Sequence, residues 1–96
     1  MTIISTNQTI KADIEFSPGL LDIGLEDPSL TRADLVILNL SQRSIELIFS
    51  DALHHVGDMP VNMNSADAMT MTRARLHGHG AGGREIQLNA PVKIVS

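Results

Sequence analysis

The chain has no cysteine, no tryptophan and no tyrosine, and only two phenylalanines. Without cysteine there is no disulfide, no thiol nucleophile and no cysteine-ligated zinc. Without aromatics the core has to be built from Ile, Leu, Val, Met and Ala. The stacking surfaces and Trp/Tyr anchors that many binding proteins rely on are missing as well. Positive charge is also scarce. Seven basic residues against eleven acidic ones leave a net charge of −4, with no basic grouping beyond Arg73, Arg75 and Arg84. That balance argues against nucleic-acid binding by bulk electrostatics. No apolar run approaches the roughly 18 residues of a membrane-spanning helix. The opening MTIISTNQTIK carries neither the basic segment nor the long apolar stretch of a secretion signal. The expected setting is cytoplasmic, or a virion if the chain is phage-encoded, with no membrane and no nucleic acid as partner.

What is there is ordinary globular composition: 43% hydrophobic and 19% charged residues rule out wholesale disorder. Ninety-six residues suffice for one domain, 1–96, around one core. TIKADIEF (9–16) alternates Ile10, Ala12, Ile14 and Phe16 against Lys11, Asp13 and Glu15, the period of a half-buried strand. Ser17-Pro18-Gly19 ends it as a turn, and Leu20, Leu21, Ile23 and Leu25 suit a short strand before the loop at Asp27-Pro28-Ser29. RADLVILNL (32–40) reads as a central strand and IELIFS (45–50) as its return, with Ser41 to Ser44 as the hairpin loop.

Residues 51–67 carry Gly57, Pro60 and two Asn, and read as a long loop with one strand-like patch near Val61. AMTMTRARLH (68–77) alternates again, with Thr at every second place, and predicts a strand that puts Met69, Met71, Arg73 and Arg75 on one face. REIQL and PVKIV close the chain as one long or two short strands, and nothing predicts a helix. Six or seven short strands at this spacing predict an all-β fold. The expected architecture is a small sandwich of immunoglobulin-like or jelly-roll type, with a partly open barrel as the alternative.

Gly78-His79-Gly80-Ala81-Gly82-Gly83 spells G-x-G-x-x-G. A dinucleotide turn needs a helix directly after the glycines and an acidic residue about 20 positions further on. Only 13 residues follow Gly83, and they alternate like strands. The segment therefore reads as a loop between strands, and its surplus of glycine suits a loop that orders against a partner. His77 and His79, two apart, could join His54 and His55 as imidazole ligands to copper, zinc or nickel if the two segments met. Met59 and Met63 would add thioethers of the copper type.

Catalytic patterns are poorer. There is no Gly-x-Ser-x-Gly elbow, and an acid–base site from His54, His55 and Asp58 is the weakest of the options. The expectation is a non-enzymatic protein-interaction or structural module without cofactor. It is expected to be self-associating, as a capsid-associated assembly component or a small inhibitor that covers a partner surface. Its contact surface would be formed by Met69, Met71, Arg73, Arg75, His79, Gly80 and Gly82. The alternative is a His/Met metal-binding β domain using His54, His55, His77 and His79.

Overall fold

The structure, a computed structural model, describes residues 4–26, 32–78 and 86–96, without the side chains of 4–8 and 86–89. Eight strands follow one another: β1 (Ile4–Thr9), β2 (Ala12–Ser17), β3 (Leu20–Leu25), β4 (Leu35–Asn39), β5 (Ser44–Phe49), β6 (Ala52–Asp58), β7 (Arg73–Gly78) and β8 (Ile86–Val95). One short helix, α1 (Ser65–Thr70), lies between β6 and β7. The all-β class is as expected. The strands form one sheet in the order β1-β6-β5-β4-β8-β7-β3-β2, bent into an open half-barrel. The partly open barrel is therefore the apt description. No helix among the described residues is long and apolar enough to cross a membrane.

β8 joins the two halves. Its first half pairs antiparallel with β7, from Ile86 opposite His77 to Pro91 opposite Arg73, and its second half pairs parallel with β4, from Val92 to Val95. Pro91, which has no N–H to give, sits where the strand passes from one neighbour to the other. Directly after it, the Val92 N–H donates to Thr72 O at 3.0 Å. Parallel pairing also joins β1 to β6 and β3 to β7.

Alternation puts the aliphatic side chains inside. Leu21, Ile23 and Leu25 of β3, Val36 and Leu38 of β4, Ile45 and Leu47 of β5 and Leu76 of β7 are all 0% exposed. Burying each such side chain stabilises by about 1.5–3 kcal/mol. Met59, Met63 and Met71 complete this core, at 4%, 0% and 6% exposure. The unbranched thioethers fill the irregular end of the barrel where no strand supplies a matched side chain.

Two turns explain where the strands lie. Between β2 and β3, Pro18 fixes φ at the first central position and Gly19 supplies φ +83° at the second, so Ser17 faces Leu20. Between β5 and β6, Ser50 and Asp51 both take left-handed φ, 48° and 67°, as a type I′ turn requires. The Ser50 N–H donates to the Asp34 carboxylate at 3.1 Å, and Asp34 N–H to Ile48 O at 2.8 Å, which holds this non-glycine turn in place.

The expected loop at 51–67 is thus corrected: its first part is strand β6, and Val61 stands in no strand but is fully solvent-exposed. The expected strand over 68–77 is corrected as well. Asn64 and Asp67 form a reciprocal capping box, Asp67 N–H to Asn64 Oδ1 at 2.8 Å and Asn64 N–H to Asp67 Oδ2 at 3.1 Å, and start α1. The strand begins only at Arg73.

Candidate functional site

The residues singled out from sequence separate in space. Met69 projects from α1 at 66% exposure, whereas Met71 at the helix end is 6% exposed and part of the core. The two do not share a face, because a helical turn and not a strand connects them. Arg73 and Arg75 do lie on one face of β7, its outer one, with Ala74 and Leu76 pointing inward. His79, Gly80 and Gly82 lie outside the described residues.

His54 and His55 are neighbours on β6, so they point to opposite faces of the sheet. The His54 ring packs edge-on against Phe49, centroids 5.6 Å apart. His55 Nδ1 is 2.9 Å from Glu46 Oε2, across the ladder. β6 and β7 are separated in the sheet by β5, β4 and β8. Among the described residues no three His, Asp or Glu come together as a metal set, and Met59 and Met63 are turned into the core. The expected meeting of the two His-bearing segments does not extend to His77, and His54 and His55 face opposite sides of the sheet.

The chemistry collects elsewhere, on the outer face of β2, β3 and β7. Asp13, Glu15 and Ser17 are the exposed, outward positions of β2, and the turn at Pro18-Gly19 sets Glu15 directly opposite Asp22. Two like charges facing each other across a ladder repel. The His77 ring stands beside Asp22: Nε2 lies 2.9 Å from Asp22 Oδ1, and Nδ1 3.0 Å from Gly78 O.

The ring reaches Asp22 by lying over Gly24, its register partner on β3. A Cβ at Gly24 would come within 3.0 Å of His77 Cε1. Glycine here is a space requirement and not a turn. Glu15, by contrast, has no ion-pair partner among the described residues.

Two hollows share Glu15 and Asp22. The smaller, about 180 Å³, is closed by Asp13 and His77. The larger, about 400 Å³, runs along β2 from Ile14 to Ser17 and is bounded on its far side by Pro60 and Asn62. Its lining is apolar at Ile14, Phe16 and Leu20 and anionic at Glu15 and Asp22, and no Lys, Arg or His lines it among the described residues.

β2 is also an edge strand. The Phe16 carbonyl accepts from Asn62 Nδ2 at 3.0 Å, so it points away from β3. By the two-residue alternation of an antiparallel ladder, the main chain of Ile14 points away from β3 too. A Cβ on Gly57 of β6 would touch Ile14 Cδ1 at 3.3 Å, which places the open seam of the barrel along this strand.

Sequence reasoning fixed the outward facing of Asp13 and Glu15 but missed the site they build. The Ser17-Pro18-Gly19-Leu20 turn could have given the Glu15–Asp22 pairing. Nothing in the sequence signals Asn62 or the ring over Gly24. The chain matches no known protein family, no curated protein and no solved structure.

Proposed function

We propose that this chain is a non-enzymatic protein-interaction domain that binds an extended, basic segment of a partner protein along β2. The observation that carries this reading is the cleft on the free edge of β2. There, outward main-chain groups lie beside an apolar floor and the Glu15 and Asp22 carboxylates, with no Lys, Arg or His along the lining among the described residues. An edge strand gives an added strand its main-chain hydrogen bonds, and pockets for alternate side chains give specificity. A Lys or Arg side chain has the matching build, an apolar stem with a cationic head. A cleft of about 400 Å³ falls within the range of ordinary ligand sites.

A second copy of the chain is the competing occupant, as self-association would require. The chain carries a net charge of −4, and the cleft is lined by Glu15 and Asp22 with no Lys, Arg or His among the described residues. Charge complementarity at the cleft therefore favours a basic partner over a copy of the chain.

The test is a binding titration with a short peptide alternating Lys and Val, against its Glu and Val counterpart, with light scattering in parallel. The expected result is binding of the Lys peptide alone, weakened by salt. Glu15→Lys is expected to weaken it by about tenfold or more, the equivalent of ~1.4 kcal/mol, with the melting temperature unchanged. Equal binding of both peptides, or none together with a mass above 10.4 kDa, would overturn the reading in favour of self-assembly.

A further inference from the structure

Resting on that reading, we infer that Asn62 is a built-in cap on the β2 edge that a partner strand has to displace. The segment carrying it is firmly fixed. Met59 and Met63 on either side are buried, at 4% and 0% exposure. Met59 N–H donates to Arg43 O at 2.8 Å, and Met63 N–H to Pro60 O at 2.9 Å. The Arg43 guanidinium donates back through Nη2 to Pro60 O at 3.3 Å and to Met63 O at 2.6 Å. Val61 and Asn62 are thereby held outward, both exposed, at the crest of a clamped turn.

From this crest Asn62 reaches over the cleft and gives one N–H to Phe16 O. That is the bond the main-chain N–H of a pairing strand would make. Native proteins protect sheet edges by such covers. The main chain of the segment is pinned at both ends, but the Asn62 side chain is exposed and turns about two single bonds. Opening the edge therefore requires a side-chain rotation and leaves the loop where it is.

The order of pairing follows. A partner segment meets Ile14 first, whose outward groups have no cap among the described residues, and engages Phe16 only as the carboxamide swings out. Asn62 sets the affinity of the edge by competing with the partner for one acceptor, and it discriminates against strands too weak to displace it.

The test measures Lys/Val peptide affinity for the wild-type chain, Asn62→Ala and Asn62→Val, neither of which can donate to Phe16 O. Competition from a single hydrogen bond predicts about two- to tenfold tighter binding for both variants, with melting temperatures close to wild type because the residue is exposed. Binding that appears only in the variants supports the inference equally. Peptide binding to the wild type that is unchanged or weaker in both variants overturns it while leaving the proposed function standing. Absence of binding in all three chains overturns both.

Discussion

Two His–carboxylate pairs of equal length, 2.9 Å, stand on the outer surface of this sheet, one in each half. His55 and Glu46 are direct partners on the antiparallel strands β6 and β5, and the ladder itself brings them together. His77 and Asp22 lie on the parallel strands β7 and β3, offset by two residues along β3, and meet only because Gly24 between them has no side chain. The surroundings differ as much. Around His55 the outer face is largely aliphatic, with Leu35 opposite Ile48 and Ile48 opposite Leu53. Around His77 it is charged, with Asp13, Glu15, Arg73 and Arg75. The first pair stands among aliphatic neighbours. The second sets an imidazole beside one carboxylate of a facing pair, Asp22, while the other, Glu15, has no ion-pair partner among the described residues.

This comparison can be broken in several ways. The core beneath both faces is equally buried, so Leu47→Ala under the first pair and Leu76→Ala under the second are each expected to cost about 2–5 kcal/mol in denaturant unfolding. Inequality beyond that range would mean that the two halves are not one cooperative core.

Gly24→Val comes next. It forces a branched side chain into the space of the His77 ring, and overpacking of this kind costs about 1–3 kcal/mol. NMR contacts of the ring protons should then show the His77 ring released from Asp22 and the His55 ring untouched. Retention of the Asp22 contact would refute the role given to Gly24.

The smallest effects come from deleting the carboxylates. Glu46→Gln is expected to cost about 0.5–1.5 kcal/mol, as a partly exposed, hydrogen-bonded pair does, and Asp22→Asn about 0–1 kcal/mol, as a close contact without hydrogen-bond geometry does. Only Asp22→Asn should alter peptide binding at β2, because only Asp22 lines the cleft.

How much of this was legible in the sequence varies by segment, and the reasons are physical. The alternation of 9–16, the Pro18-Gly19 turn and the β4–β5 hairpin all rest on local rules. The turn lies where those rules put it, while the strand begins at Ala12 rather than residue 9 and the hairpin loop spans 40–43, Ser44 already pairing with Asn39. β6 was hidden because its turn uses Ser50-Asp51 in left-handed φ, which glycine normally marks; the support comes from Asp34, sixteen residues away from Ser50 in the chain. α1 was hidden by the chance alternation of Ala68, Thr70 and Thr72, although the capping residues Asn64 and Asp67 were in plain view. The candidate site was half legible: the outward row of Asp13 and Glu15 follows from period two. The parallel pairing of β3 with β7, which brings His77 over Gly24, is a long-range arrangement that no local pattern encodes.

The shared strand β8 has a mechanical consequence. Its ten residues hold hands with β7 along one half and with β4 along the other, so neither half can shed it without opening its neighbour. Loosening on one side reaches the other through a single backbone. The amides of β8 should therefore be among the slowest to exchange with solvent, opening only with the whole domain. The edge strand β2, the proposed docking edge, is set three places from this spine, at the far end of the sheet. An edge strand there can open without parting the join at the centre.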